Sequence, residues 1–251
     1  MARLNSYTVG DGPRPLLLLH GFLGQGKNLR TLAQGLVARD PSLRCLVPDL
    51  TGHGSSPPLP PQASLATLAA DVLETFPEPT AIIGHSLGGR VALAVARRTS
   101  VAQVTFLDIA PGPVDESHSG SRRVLDVLLE APESAPSRRD LRQYLIDRGL
   151  SAALADWLVM NVRVDGGAAR WTFDRAALDR LQVATSAESL WDVVEGHRTA
   201  CRCVRGRRSR YVNDADAARL VGAGCPVITL DSGHDVHVEA LPALLDALTP
   251  R

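Results

Sequence analysis

The sequence predicts an α/β fold in which a mostly parallel central sheet is covered by helices on both faces. Short aliphatic segments alternate with segments of helical periodicity, which is the pattern of strand–helix–strand units. The most apolar segment, residues 16–19, is hydrophobic at every position, as is typical of a strand buried on both faces. With 251 residues, 45% of them hydrophobic, the chain can bury a substantial core in one large domain or two small ones.

Aliphatic and helical segments alternate regularly through the first part of the chain. The expected strands lie at 15–19, 45–48, 81–84 and 104–107, and the expected helices between them at 29–38, 65–75 and 87–98. Because such crossovers are right-handed and produce parallel strands, the carboxyl ends of these strands meet at one edge of the sheet. Ligand sites in open α/β sheets lie at that edge.

The pattern changes after Pro113. Only helical periodicity is visible at 121–195. We interpret residues 113–195 as a helical cap over a pocket; the simpler alternative is that its tryptophans only pack this insert against the sheet. The insert contains every tryptophan of the chain, namely Trp157, Trp171 and Trp191.

The α/β pattern resumes after the insert. The expected strands lie at 201–204 and 226–230, and the expected helices at 215–221 and 238–248. The sheet-containing core is therefore predicted to comprise residues 1–112 and 196–251.

Composition disfavours several classes of protein. Lys and Arg (27) balance Asp and Glu (27), so no net charge attracts a nucleic acid. Five arginines fall within residues 202–210; we interpret them as a solvated loop, with a pocket rim that steers an anionic acyl substrate as the alternative. No apolar segment approaches the roughly 20 residues of a membrane span, and the first residues contain no apolar signal segment. We therefore expect a cytoplasmic protein that is a monomer or a small homo-oligomer.

The cysteines show neither a disulfide pattern nor metal-ligand spacing. Cys45, Cys201, Cys203 and Cys225 form no CxxC pair and are scattered along the chain, so we expect small buried hydrophobic side chains. No group of His, Cys and carboxylate residues has ligand spacing along the sequence. The sequence therefore predicts neither a metal nor a cofactor.

A nucleophilic serine is predicted at Ser86. The sequence Gly84-His85-Ser86-Leu87-Gly88-Gly89 connects a predicted strand directly to a predicted helix, which is the context of a G-x-S-x-G nucleophile elbow. The pentapeptide alone arises by chance in roughly one chain in ten of this length, so the strand–turn–helix context carries the prediction. The amide of Leu87, at a helix N-terminus, is then available to stabilise an oxyanion.

A second oxyanion donor is expected from the loop after the first buried strand. This loop reads His20-Gly21-Phe22-Leu23-Gly24, and the amide of Phe22 is the natural candidate. Because both glycine-containing loops follow strand carboxyl ends, they point to one crevice.

His234 is the predicted general base. It lies in Asp231-Ser232-Gly233-His234, between the last predicted strand and the closing helix, and so at the same sheet edge as Ser86. The other histidines lie in glycine-rich loops, in the insert or just after His234: His20, His53 and His85; His118 and His197; and His237.

The acid that orients the base is open between several strand ends. Asp108 directly follows the strand after the elbow helix, Asp214 and Asp231 follow later strands, and Asp49 follows an early one. The chain order Ser, Asp, His is satisfied by the first three. A carboxylate in this position holds the imidazole tautomer and stabilises the imidazolium.

These motifs together resemble α/β-hydrolase signatures. The resemblance rests on four segments, His20–Gly24, Asp49–Ser56, Gly84–Gly89 and Ser232–His234, and it weakens through the insert. Most members of that superfamily carry the acid in a G-x-x-D motif after the strand that follows the cap. Here the corresponding segment, Gly206-Arg207-Arg208-Ser209, has a serine in place of the aspartate.

The serine at this position is itself a feature that resembles the YbfF-type esterase branch. Leu107-Asp108-Ile109-Ala110-Pro111 is similar to the D-I-A-P of that branch, and 205–212 to its R-G-x-x-S-x-Y-V. The resemblance implies that Asp108 is the triad acid and that Ser209 is an auxiliary hydrogen-bonding residue.

The predicted function is a cofactor-independent serine esterase with Ser86, His234 and Asp108 as its triad. His20, Trp157 and Tyr211 are the candidate substrate-binding residues, and the expected partner is a small-molecule ester or thioester. The open alternatives are a thioesterase, a C–C bond hydrolase, a lyase of the menaquinone-pathway type, and a non-catalytic binding protein of the same fold. A serine nucleophile disfavours the epoxide hydrolases and haloalkane dehalogenases of the superfamily.

Overall fold

A seven-stranded, mostly parallel sheet carries the fold in the computed structural model, which describes residues 2–115 and 120–249. His118 lies outside the described residues. The seven strands have the spatial order β1-β3-β2-β4-β5-β9-β10, and every neighbouring pair is parallel except β1 and β3. In chain order, the strands of the structure are β1 (Ser6–Val9), β2 (Arg14–Leu19), β3 (Leu43–Pro48), β4 (Ala81–His85), β5 (Gln103–Leu107), β6 (Ser134–Ala135), β7 (Val162–Asp165), β8 (Ala168–Trp171), β9 (Ala200–Gly206) and β10 (Val227–Leu230).

Helices connect these strands. The predicted helices at 65–75 and 87–98 are observed with the predicted bounds, as α2 and α3. The helices are α1 (Arg30–Arg39), α2 (Leu65–Thr75), α3 (Leu87–Arg98), α4 (Gly120–Glu130), α5 (Arg138–Asp147), α6 (Ala152–Leu158), α7 (Arg175–Ser186), α8 (Trp191–Glu195), α9 (Asp214–Gly222), α10 (Val236–Glu239) and α11 (Leu241–Leu248).

The strand β2 explains why residues 16–19 are apolar at every position. Leu16 and Leu18 pack on one face of the sheet with the core that includes α1 and α11. Leu17 and Leu19 pack on the other face with the core that includes α2 and α3. Since successive strand side chains point to opposite faces, a sheet with helices on both sides requires this continuous apolar pattern. The predicted α/β fold with a mostly parallel, doubly covered sheet is confirmed.

Apart from shifts of one or two residues at other element ends, two elements of the core differ from the sequence prediction. The edge strand β1 was not predicted, because its side chains are exposed or half-buried and it has no apolar run. The predicted closing helix is divided into α10 and α11, which meet at Ala240. Pro242 at the start of α11 has no N–H to donate and therefore begins a new helix.

The prediction that residues 121–195 are helical throughout is wrong. The strands β6, β8 and β7 form a small antiparallel sheet, and Trp171 lies in β8. Gly166 and Gly167, both at positive φ (57° and 77°), form the two-residue turn between β7 and β8. Two central residues with positive φ are typical of a type I′ hairpin turn, which the Asp-Gly-Gly sequence signals. The division into a core (1–112 and 196–251) and an insert (113–195) stays a prediction.

The cysteines form no disulfide bonds within the described residues. All four cysteines are free thiols; Cys45, Cys203 and Cys225 are buried as expected, whereas Cys201 is half-buried.

Within residues 2–115 and 120–249, none of the helices combines the length and apolar character that crossing a bilayer requires.

Candidate active site

Ser86 occupies a sharp turn between β4 and α3. Its backbone adopts φ 51° and ψ −118°, a conformation that L-residues rarely adopt. The two flanking glycines make the turn possible: a Cβ on Gly84 would lie 2.2 Å from the carbonyl oxygen of Gly88, and a Cβ on Gly88 would lie 2.3 Å from that of Leu19. The sequence pattern G-x-S-x-G therefore has a direct steric cause here.

The half-buried Ser86 faces a small cavity of about 40 Å³. Within the described residues its hydroxyl makes no hydrogen bond, and in particular none to His234. Catalytic hydrogen bonds in ligand-free sites are often long and tighten only around a substrate. The cavity is lined by Phe22, Ser86, Leu87, Arg90, Ile109, Val114, Ser121, Gln182, Thr185, Ser186 and Tyr211.

Asp108 and His234 are brought together although 126 positions separate them in the sequence. Asp108 follows β5 at φ 51° and is completely buried. Its Oδ2 lies 2.7 Å from Nδ1 of His234 and also accepts a hydrogen bond from the Ser209 hydroxyl, while its Oδ1 accepts one from the Gly206 amide at 2.8 Å. A buried carboxylate that accepts this many hydrogen bonds is stabilised as an anion despite its burial.

The other candidate acids lie elsewhere. The side chain of Asp214 is 97% exposed and pairs with Arg205, and that of Asp231 is 79% exposed and pairs with Arg208. Arg208 follows β9 and its side chain is 56% exposed, as the solvated-loop prediction expects. Arg202 and Arg205 lie within β9, and the Arg205 side chain is only 20% exposed, so the prediction is wrong for this part of the run. Asp49 is buried, but it accepts hydrogen bonds from backbone amides of the loops around β3.

His234 is held from two sides. Its Nδ1 meets Asp108, and its ring stacks on Tyr211 with centroids 4.0 Å apart and planes at 29°. With Nδ1–H donated to the carboxylate, Nε2 carries the lone pair that a general base needs. The tautomer is thus set by the buried Asp108.

The two predicted oxyanion donors are backbone amides of residues that line the cavity beside Ser86. Within the described part of the chain, neither the Phe22 amide nor the Leu87 amide donates a hydrogen bond to the protein. His53 holds the loop that carries Phe22, because its Nε2 accepts a hydrogen bond from the Leu23 amide at 3.3 Å. Leu23 itself has φ 61°, in the left-handed region. The two amides lie at the end of β2 and the start of α3 and both residues line the cavity with Ser86.

The structure does not place His20 among the residues that line the cavity. The side chain is 1% exposed, and both ring nitrogens are engaged: Nε2 accepts the Leu50 amide at 2.9 Å, and Nδ1 lies 2.8 Å from the Gly21 carbonyl oxygen. Burial and the neighbouring His53 lower the pKa of His20 to about 3, so the ring is neutral. His20 instead ties the Phe22 loop to the loop that follows β3.

Of the two other substrate-binding candidates, the structure places only Tyr211 in the cavity lining. Trp157 is half-buried in α6, packs against the apolar core and does not line the cavity. Its aromatic side chain packs against the core, and its role in substrate binding stays a prediction.

Sequence reasoning missed Arg90. This residue lies in α3, is 2% exposed, and donates to the carbonyl oxygens of Ala110 (3.2 Å) and Gly112 (2.6 Å) beyond β5 and of Thr185 (3.0 Å) in α7. Arg90, which also lines the cavity, thereby connects the sheet edge to the insert. The sequence feature that could have identified Arg90 is an arginine among the Val, Ala and Leu residues of an otherwise buried helix.

Comparisons with known proteins identify the family of this chain. The family model described as "Alpha/beta hydrolase family" matches residues 16–247. The sn-1-specific diacylglycerol lipase ABHD11 of Mus musculus is 29% identical over 97% of this chain and 83% of its own length. Esterase YbfF of Escherichia coli (strain K12) is 27% identical over 93% of this chain and 91% of its own length.

A solved structure described as a marine microorganism esterase shares the fold. Its TM-score is 0.85 with 98% of both chains covered, and at 23% sequence identity this likeness concerns the fold alone. The resemblance to the YbfF-type esterases predicted from the motifs is confirmed by the sequence comparison. The family model covers nearly the whole chain, and the chain belongs to the α/β hydrolase family.

Proposed function

We propose that this chain is a serine esterase that hydrolyses carboxylic esters through an acyl-enzyme. One observation carries the proposal: the buried Asp108 carboxylate lies 2.7 Å from Nδ1 of His234, at the sheet edge where Ser86 occupies a nucleophile elbow. A hydrolase fold that only binds ligands has no need for a buried carboxylate that fixes the tautomer of a half-exposed imidazole. The curated relatives, with names that include lipases and esterases, support the same reaction class.

The attack step uses all three side chains. Ser86 Oγ forms a bond to the acyl carbon as its proton moves to Nε2 of His234, and the carbonyl π electrons move to the oxygen. Asp108 stabilises the resulting imidazolium through the Nδ1 contact. The oxyanion is stabilised by the amides of Phe22 and Leu87; removal of one such donor typically costs about 10²–10³ in turnover.

The intermediate then collapses towards products. The bond to the alcohol oxygen breaks, and His234 returns its proton to that oxygen, which leaves as the alcohol. Water attacks the acyl-enzyme with His234 again as the base, and the carboxylic acid is released with Ser86 regenerated. No group beyond these residues and water is required to balance the reaction.

The size of the cavity indicates the class of acyl group. Its volume of about 40 Å³ is only a few times the roughly 10–15 Å³ that one water probe occupies. Short acyl chains fit this space without rearrangement of the side chains from α7. We therefore assign short-chain esters as substrates, although several relatives are named as lipases.

The test is hydrolysis of p-nitrophenyl esters across acyl chain lengths by the wild-type protein and by Ser86→Ala. We expect turnover that is highest for short chains and that falls to background in the variant. A fluorophosphonate probe should label only the wild-type protein, because labelling requires the activated hydroxyl. Equal inertness of both proteins towards esters, together with no labelling, would overturn the proposal.

A further inference from the structure

The loop that carries Phe22 is a tight turn closed by a backbone hydrogen bond. The Gly24 amide donates to the Gly21 carbonyl oxygen at 3.1 Å, which closes a four-residue turn over 21–24. Leu23, the third residue of this turn, has φ 61°, a conformation that favours glycine. A leucine in this conformation is strained, and it persists only because the surrounding structure holds it there.

Two side chains from different parts of the chain hold Leu23. Nε2 of His53, in the loop after β3, accepts a hydrogen bond from the Leu23 amide at 3.3 Å. Nδ2 of Asn161, in the insert, donates a hydrogen bond to the Leu23 carbonyl oxygen at 3.0 Å, across 138 positions of the sequence. Both backbone polar groups of the strained residue are therefore satisfied, and the insert supplies one of the two partners.

Asn161 is a buried polar side chain with a defined orientation. It lies in the single-turn helix Val159–Asn161 between α6 and β7 and is 3% exposed. An asparagine amide has two N–H donors, and Nδ2 has two acceptors here, the carbonyl oxygens of Leu23 and of Leu158 (3.4 Å). Because both acceptors are carbonyl oxygens, only the nitrogen of the side-chain amide can face them.

These contacts form a chain of hydrogen bonds that ends at the Phe22 amide. Asn161 donates to the carbonyl oxygen of the peptide that joins Leu23 to Gly24. The N–H of that peptide donates to the carbonyl oxygen of the peptide that joins Gly21 to Phe22. The N–H of this second peptide is the Phe22 amide. In a trans peptide the C=O and the N–H point in opposite directions, and the described residues contain no cis peptide bond. Since each bond in such a chain also polarises the next, Asn161 affects both the direction and the donor strength of the Phe22 amide.

We propose that Asn161 is a positioning residue of the oxyanion hole, through which the insert orients the Phe22 amide. This role rests on the proposed function, in which that amide stabilises the oxyanion. Asn161 does not line the cavity, so it acts only through the loop. Nδ1 of His20 supports the same peptide, 2.8 Å from the Gly21 carbonyl oxygen, so the loss of Asn161 removes one support of several. We therefore expect a smaller effect than the roughly 10²–10³ that loss of a whole oxyanion donor costs.

The test compares Asn161→Leu and Asn161→Asp with the wild-type protein in the hydrolysis of p-nitrophenyl acetate. Leucine has nearly the same volume but cannot donate to Leu23, and aspartate keeps the shape but places an oxygen against the Leu23 carbonyl. We expect kcat to fall by about tenfold in both variants with KM within about twofold, because the oxyanion develops only in the transition state. The affinity for trifluoroacetone, whose adduct with Ser86 carries the same oxyanion, should weaken by about the same factor.

The matched control is Thr172→Val. The Thr172 hydroxyl donates to the backbone carbonyl oxygen of Asn161 at 3.1 Å, so this change loosens the same segment and leaves the bond from Nδ2 to Leu23 in place. We expect kcat within about twofold of the wild type. Circular dichroism verifies that every variant is folded. An equal loss in Thr172→Val and Asn161→Leu would reduce Asn161 to a structural role and overturn the proposal.

Hydrogen exchange followed by mass spectrometry examines the turn without any turnover. We expect peptides that cover residues 22–26 to exchange at least about tenfold faster in Asn161→Leu than in the wild type or in Thr172→Val. Unchanged exchange, or wild-type kcat in both Asn161 variants, would overturn the positioning role alone. A wild-type protein that neither hydrolyses esters nor reacts with a fluorophosphonate would overturn the proposed function and the positioning role with it, so the two failures are distinguishable.

Discussion

The sheet edge and the insert contribute to the cavity in different ways. Asp108 is fixed by donors from Gly206, Ser209 and His234, so its position depends on backbone and side chains of the core. The insert contributes side chains to the wall, such as Gln182 from α7, and none of its residues contacts Asp108 through a hydrogen bond in the described part of the chain. The sheet positions Asp108 and His234 relative to each other, and the insert contributes to the wall of the cavity beside Ser86.

This difference follows from how each region is stabilised. The sheet edge is built from adjacent parallel strands whose carboxyl ends are held in register by the ladder, so displacement of one residue disturbs several hydrogen bonds. The insert packs through short helices and a three-stranded sheet. Variation there alters cavity shape without moving the groups at the ends of β4, β5 and β10.

The largest effect is expected for Asp108→Asn. An amide cannot hold the Nδ1–H tautomer of His234 as the carboxylate does, so we expect kcat for a short-chain ester to fall by about 10⁴. The matched controls Asp214→Asn and Asp231→Asn should stay within about twofold of the wild type, since both carboxylates form surface pairs. A large loss in Asp214→Asn alone would assign the acid to the later strand.

A smaller effect is expected for Ser209→Ala. Ser209 donates to Oδ2 of Asp108, the same oxygen that meets His234, and so positions the acid without contacting the substrate. A hydrogen bond to a charged group contributes about 1.5–3 kcal/mol, so we expect at least a tenfold loss in kcat with KM nearly unchanged. The pH profile of kcat/KM should shift as well. Wild-type kinetics with an unshifted profile would exclude the positioning role.

Gln182→Leu tests the insert. Gln182 lines the cavity and donates to Ser121 at 3.0 Å, so the change replaces a polar wall by an apolar one. We expect the ratio of kcat/KM for butyrate over acetate esters to change by about tenfold, because one or two methylene groups contribute about 1–3 kcal/mol in such a pocket. The kcat for acetate should change by less than threefold. A loss as large as that of Asp108→Asn would give the insert a part in the chemistry.

The smallest effect is expected in how the free energy of unfolding depends on pH. Burial lowers the pKa of His53 and His85 to about 4 and that of His237 well below its ordinary value, whereas in the unfolded chain each titrates near 6.5. The unfolded state thus binds more protons below pH 6.5, so this contribution to stability is complete above that pH and is lost as the pH falls towards 4.

Urea unfolding at pH 7.5 and 5.0 measures this loss. His237→Gln should reduce the slope of stability against pH by up to about 1.4 kcal/mol per pH unit below 6.5. The control is His197→Gln, at an exposed position. If the variant and the wild type lost stability in parallel, His237 would not be a neutral buried group.

The sequence predicted the parts of the fold that local patterns control. The bounds of α2 and α3 follow from their periodicity, and Ser64, whose side chain accepts the Thr67 amide, marks the start of α2. The hairpin at Gly166 and Gly167 was missed because helical periodicity was read across a turn signal. Trp157 was assigned to the pocket from composition, and its use in packing depends on the tertiary arrangement of α6.

The sequence by itself determined the sheet edge and the nucleophile elbow at Ser86, because strand–turn–helix patterns and the elbow glycines are local features. Only the tertiary structure shows which of the candidate acids contacts His234, since that contact joins residues 126 positions apart. It alone also brought His85 next to Asp235 and His237, which lie far along the chain from it. Strand register and loop packing, which no single segment specifies, determine both arrangements.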